Sequence, residues 1–301
     1  MSQPPANYCS IESLENHESM IGSAPQVSTW ILLEYGALWG EKALAQSDLP
    51  PALKEKLNLF TQTLPDSKFL FIKSNKTPKP QSLSLYIVKS TATTVEMFKR
   101  EFSSYEELTG LDFANPRTEE GFLPNDQKLI LVCTNGKRDV CCAKFGLPVF
   151  NAASEIPAVE AWECTHIGQH RFAANLIALP QGIYYGRVTP QDVPNIAENH
   201  VRGHLNLEKL RGRACFPPHE QAAEALLRIK LNDPALQDFE MIDSQVLSDN
   251  QWNVNISFRG NIHKLTIANK PTGKQIPAAC TGEKMVDAAE FIIQSHETDP
   301  A

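Results

Sequence analysis

No uninterrupted apolar run in this chain is longer than a β-strand; Leu129-Ile130-Leu131-Val132-Cys133 is typical. A membrane-spanning helix needs about 20 apolar residues. The chain must therefore bury its apolar side chains in many short elements packed against one another. It has 301 residues, 42% hydrophobic and 21% charged, an ordinary globular composition and a length that suggests about two domains of roughly 150 residues each. The formal net charge is −7. No basic stripe is present, so neither a nucleic acid nor a membrane is expected as a partner.

The first Lys or Arg is Lys42, while Glu12, Glu15 and Glu18 are acidic. A secretory signal opens on basic residues and a transit peptide is rich in Arg, so the expected compartment is the cytoplasm. Of seven cysteines, Cys141 and Cys142 are adjacent. In a reducing compartment such thiols stay free, some in the core and some available as ligands.

Four segments are expected. Residues 1–27 are polar, contain Pro4-Pro5, and read as a mobile tail. Residues 28–126 form an N-terminal α/β segment. Its expected strands are Trp30–Leu33, Phe69–Ile72 and Leu83–Val88, with a helix opened by Pro50-Pro51 and a loop from Ser74 to Ser82 around Pro78 and Pro80. Val95, Phe98, Phe102 and Tyr105 lie 3, 4 and 3 apart, which predicts a helix capped by Gly110. Phe113–Asp126 reads as a linker. Residues 127–205 give the order βαβαββα, a thioredoxin-like order that the first third loosely resembles. Within this unit helices are expected over Leu147–Ser154, His166–Asn175 and Gln191–His204. Residues 206–301 are α+β, with a helix opened by Pro217-Pro218. The alternation Trp252, Val254, Ile256, Phe258 marks a strand, and Met285, Ala288, Ala289 and Ile292 predict a final helix.

The chemistry-bearing residues concentrate in 127–205. Cys133 ends a strand and is followed by a loop bearing Gly136, Lys137 and Arg138, then by Cys141 and Cys142. α/β folds bind ligands at strand ends of this kind, and nearby positive charge favours the thiolate. His166 and His170, if helical, share one face. His200 and His204 repeat that spacing without accompanying thiols and read as a surface helix end. A zincin motif fails because Ile167 stands where the catalytic Glu would be, and no C-x-x-C pair or phosphate-binding glycine loop occurs. Two pairs of donors on successive strand-to-helix loops suit either zinc or a 2Fe-2S cluster. A cysteine nucleophile at Cys133 with distant partners stays open on spacing alone.

The blocks C-T-N-G-K-R-D-V-C-C-A-K-F-G (133–146) and W-E-C-T-H-I-G-Q-H-R-F-A-A-N-L-I-A-L-P-Q-G-I-Y-Y-G-R-V (162–188), with W-G-E-K-A-L (39–44) and L-R-G-R-A-C-F-P-P (210–218), resemble the sucrase/ferredoxin-like family. The resemblance implies an α/β fold: a central thioredoxin-like βαβαββα ferredoxin unit flanked by N- and C-terminal α/β segments. It implies a 2Fe-2S cluster on Cys133, Cys142, His166 and His170, with Cys141 competing for the second thiolate position. Gln169 stands where relatives have a second Gly. It further implies one-electron transfer with a redox partner protein, as a carrier or redox component rather than a stand-alone enzyme. A zinc-stabilised binding protein using the same four residues is the alternative. Lys137, Arg138 and Arg171 flank the ligands and read as solvated.

Overall fold

The computed structural model describes residues 8–75 and 82–300. The prolines at 4, 5, 78 and 80 lie outside this range. Elements run α1 (Cys9–Glu15), β1 (Thr29–Glu34), α2 (Pro51–Thr63), β2 (Ser67–Lys73), β3 (Leu83–Ser90), β4 (Val95–Phe102), β5 (Leu123–Pro124), β6 (Leu129–Cys133), α3 (Val140–Ser154), β7 (Glu160–Cys164), β8 (Leu176–Leu179), β9 (Ile183–Tyr185), α4 (Val193–Arg202), β10 (Leu210–Arg213), α5 (Pro218–Leu231), β11 (Phe239–Ser248), β12 (Gln251–Phe258), β13 (Asn261–Pro277) and β14 (Met285–Pro300).

The first ten strands make one sheet, in the order β10-β9-β8-β6-β7-β2-β1-β3-β4-β5. It contains the same pattern twice. β1 pairs parallel with β2 and antiparallel with β3, which pairs antiparallel with β4. β6 does the same with β7, β8 and β9. The halves meet where Ile72 and Lys73 of β2 pair antiparallel with Cys164 and Glu163 of β7. The loose similarity of order in the sequence is thus a duplicated topology, and the N-terminal segment shares its sheet with the thioredoxin-like unit.

Alternation along the strands sends side chains to opposite faces. Ile130 and Val132 pack with Val149, Phe150 and Ala153 of α3. Ile31 and Leu33 pack with Leu53 and Leu57 of α2. The other face carries one apolar cluster running across both halves, including Trp30, Leu32, Leu70, Leu129, Leu131, Trp162 and Ile177. α5 lies on a separate four-stranded antiparallel sheet, β11-β12-β13-β14, through Ala222, Ala223 and Leu227 against Val254, Ile256 and Phe258.

Several sequence expectations need correction. From residue 8 onward the expected tail is ordered: α1 buries Cys9, Ser10 and Ser13. Its polar residues are held by half-buried arginines and a buried carboxylate. Arg187 donates to Ser13 and to the Glu18 carbonyl, and Arg171 pairs with Glu18 at 2.7 Å. Val95–Phe102 is strand β4, not a helix. Phe98 and Phe102 are four apart, a spacing that keeps one face in a strand as well as in a helix, and Met97 points into the opposite cluster. Ser104 then caps a 3₁₀ turn over Tyr105–Leu108. The expected linker is packed, with Phe113 and Phe122 in the α2 core. α3 begins seven residues before the expected start, because the Asp139 side chain accepts from the Cys141 amide and Pro148 is accommodated inside the helix. The final helix is strand β14, paired antiparallel with β13.

His200 is also a correction. It is fully buried, and its Nε2 lies 2.9 Å from the Leu179 carbonyl. Burial pushes its imidazole down to about 4. The unfolded chain therefore binds a proton between about pH 6.5 and pH 4 that the folded chain refuses, so stability should fall as pH falls through that window. The full effect is about 3 kcal/mol. Urea melts of wild type and His200→Gln should converge as the pH drops from 7 to 4, and parallel curves would contradict the assignment.

Candidate metal centre

The last residue of β6, Cys133, is level with Cys164 at the end of β7. The loop that follows is anchored on the N-terminal half: Asn135 donates to the Gly40 carbonyl at 3.2 Å, and Arg138 pairs with Glu41 at 3.0 Å. Both partners belong to the W-G-E-K-A-L block. The chain then enters α3, whose first turn carries Cys141 and Cys142 on different sides. Gly146 lets α3 approach β6, since a Cβ there would stand 2.2 Å from the Cys133 carbonyl oxygen.

The histidines arrive differently from expectation. Only His170–Phe172 forms a turn of 3₁₀ helix, and His166 stands in a loop. The chain reverses through Gly168 at φ 98° and Gln169 at φ 56°. The loop nonetheless places the two imidazole rings 5.1 Å apart, centroid to centroid. Buried polar contacts fix its shape. The Asn175 side chain donates to the Gln169 carbonyl at 3.0 Å, and the Asn175 carbonyl accepts from the Cys133 amide at 3.0 Å. Arg211, from the L-R-G-R block, donates to the Asn175 side chain at 2.8 Å and to the Ser23 carbonyl at 2.7 Å.

Donor atoms of Cys133, Cys142 and His166 all lie within 4.8 Å of one another. Cys142 Sγ is 3.8 Å from His166 Nδ1. His170 Nε2 lies 3.7 Å from the Asp139 carboxylate, while its Nδ1 is buried without a hydrogen-bond partner among the described residues. The sulfurs are buried and the imidazoles half-buried, so the histidine side is the one open to solvent. Cys141 turns away, toward Cys9 and Cys280. Cys164 is buried outside the group. Lys137 is exposed as expected, but Arg171 is not solvated, being paired with the buried Glu18.

The protonation states of Cys133 and His170 suit ligation, while Cys142 would have to give up its proton to a metal. The Cys133 thiol is held well below the ordinary cysteine range, first by the hydrogen bond from Cys142, then by His166 and the Asn135 backbone, against the effect of burial. Cys142 is correspondingly pushed up, so the pair holds one thiolate. Burial lowers His170, partly opposed by Asp139. A thiolate and a neutral imidazole are the forms that bind metals, and a carboxylate behind a histidine is a common way of orienting such a ligand.

The profile of the sucrase/ferredoxin-like family matches residues 20–212. The chain belongs to that family. Among relatives of this sucrase/ferredoxin-like chain, one from Debaryomyces hansenii, called altered inheritance of mitochondria protein 32, is 26% identical over 170 residues, which is 53% of this chain and 60% of that protein. Its namesake from Meyerozyma guilliermondii is 31% identical over 96 residues, 28% of this chain and 34% of that one. The matches thus take in less than two thirds of either relative. A thioredoxin-like [2Fe-2S] ferredoxin from Aquifex aeolicus is 23% identical, with 29% of this chain and 90% of that chain covered at a TM-score of 0.26.

Sequence spacing alone did not single out Cys9, Asp139 or Cys280. Cys9 and Cys280 are 271 positions apart, and nothing in a local motif links them.

Proposed function

We propose that this protein is a one-electron redox protein that holds a 2Fe-2S cluster on Cys133, Cys142, His166 and His170. One observation carries the reading: among the described residues His170 Nδ1 is buried without a partner, on a ring 5.1 Å from that of His166, which shares a donor group with Cys133 and Cys142 that His170 itself stands just outside. A buried polar atom left without a partner costs about 1–3 kcal/mol, and a metal ligand bond would satisfy it. When bound, such a cluster supplies single-electron exchange at roughly −150 to +300 mV, against about −400 mV for all-cysteine plant-type clusters. Asp139 would orient His170, and the half-buried imidazoles would form the edge presented to a redox partner protein.

A zinc ion would use the same four residues, and the protein would then be colourless. A cysteine nucleophile is disfavoured because Cys133 is only 2% exposed, and a reactive thiol must be reachable. We keep the cytoplasm as the proposed compartment, in keeping with seven free thiols.

Of the two adjacent cysteines, only Cys142 belongs to the group with Cys133 and His166. Cys142→Ser should therefore abolish visible absorption and bound iron in protein purified without oxygen. Cys141→Ser should keep both. The reverse result would overturn the ligand assignment.

A further inference from the structure

A second group of donors lies on the far side of Asp139. We propose that Cys9, Cys141 and Cys280, with the Asp139 carboxylate, form a binding site for a zinc-class divalent ion, separate from the Cys133 group. The three sulfurs form a closed triangle: Cys9–Cys141 3.6 Å, Cys141–Cys280 3.0 Å and Cys280–Cys9 3.5 Å. Together with an Asp139 oxygen, all four donors lie within 4.8 Å of one another. A tetrahedral ion with metal–sulfur bonds of about 2.3 Å separates its sulfurs by roughly 3.8 Å, so two edges of the triangle need to open by a few tenths of an ångström and the Cys141–Cys280 edge by somewhat under 1 Å. The separations are far longer than a disulfide bond of about 2.05 Å.

The thiols lie against Ala173, Tyr8 and Phe145, yet polar groups reach the sulfurs as well. The Ser10 hydroxyl donates to Cys141 Sγ at 3.3 Å, and the Cys9 amide donates to Cys280 Sγ at 3.4 Å. Asp139 accepts from the Cys141 amide through one oxygen and from the Cys280 amide through the other, each at 2.9 Å. These bonds fix the carboxylate against the sulfur triangle, as outer-shell bonds do in metal sites. The three cysteines come from α1, from α3 and from the connection between β13 and β14. An ion there would fasten α1 and the β13–β14 connection to the helix that carries Cys142, and the protons still held by the thiols would leave to solvent as it bound.

The site stands on its own donors, so it can be tested apart from the iron reading. Cobalt(II) serves as probe, titrated into the full-length, metal-stripped, reduced protein, with zinc displacement and zinc content measured in parallel. The expected result, read in Cys133→Ser so that the neighbouring group does not contribute, is a thiolate-to-cobalt charge-transfer band and one zinc per chain, both retained when Cys215→Ser is added. Cys280→Ser, a change in a half-buried loop, should weaken binding by more than about 100-fold, beyond the 10–100-fold effect of losing an outer-shell partner. Cys9→Ser should do the same. Absence of the band in Cys133→Ser, or its persistence when Cys9→Ser and Cys280→Ser are each added to Cys133→Ser, would overturn the site. Retained iron alongside missing zinc would overturn this site alone.

Discussion

Gly146→Ala should destabilise the protein by about 3 kcal/mol or more and empty the Cys133–Cys142 site. The added methyl would stand 2.2 Å from the Cys133 carbonyl oxygen and 3.2 Å from its carbon, both backbone atoms. No side chain can rotate away to relieve that contact, so α3 must move off β6. Overpacking of this kind usually costs about 1–3 kcal/mol when side chains can yield, and a rigid strand end puts this case at or above the upper limit. The same movement would separate Cys142 from Cys133, because one rides on the helix and the other on the strand. Thermal melting and iron content should fall together. Gly110→Ala is the control: its methyl would meet nothing within 4 Å, and stability should stay within about 0.5 kcal/mol of wild type. A Gly146→Ala protein that melts like wild type and holds full iron would show that the close approach is not needed.

Arg211→Met should act through the histidine loop rather than through any metal donor. The guanidinium is fully buried. It donates to the Ser23 hydroxyl and carbonyl and to the Asn175 side chain, and it lies over the rings of Phe172 and Tyr184 at 5.5 and 5.7 Å. Methionine fills much of the volume but leaves those acceptors without donors. Orphaned buried acceptors cost about 1–3 kcal/mol each, with partial relaxation around them, so a loss of about 3–5 kcal/mol is expected. Asn175 then loses the partner that holds it against the Gln169 carbonyl and the Cys133 amide. The loop loosens, and iron should be removed by a chelator about 10–100-fold faster, the range for outer-shell changes. Arg211→Lys should recover little, since a single ammonium cannot span donors set at these angles. Unchanged chelator kinetics in Arg211→Met would contradict the positioning role.

Much of the sheet was legible in the sequence because its central strands are short, continuous and apolar. β1, β2, β3 and β6 fall where Trp30–Leu33, Phe69–Ile72, Leu83–Val88 and Leu129–Val132 predict them. The errors share a physical cause. Phe98 and Phe102 satisfy helical and strand spacing alike, and only pairing with β3 decides between them. Met285, Ala288, Ala289 and Ile292 satisfy helical spacing, and only pairing with β13 makes the segment a strand. The N-terminal segment looked like a tail because its apolar anchors, Cys9, Met20, Ala24 and Val27, are scattered without periodicity and are joined by polar contacts of Arg187, Arg171 and buried Glu18. β11 carries mostly exposed residues and gave no pattern to read. At the candidate centre, the spacings named Cys133, Cys142 and His166, whose donors do come together, and His170, whose ring lies beside that of His166 but whose donors fall outside the group. The helix expected for the second pair is instead a loop turned by Gly168 and Gln169.

The most direct measurement is electron paramagnetic resonance of the dithionite-reduced, anaerobically purified protein, taken with iron and sulfide analysis of the same sample. The ligand assignment predicts about two irons and two sulfides per chain. It also predicts a reduced-state signal with hyperfine coupling to two imidazole nitrogens, one lost in His166→Ala and the other in His170→Ala. Zinc in place of iron, or a 2Fe-2S signal with no nitrogen coupling, would contradict it.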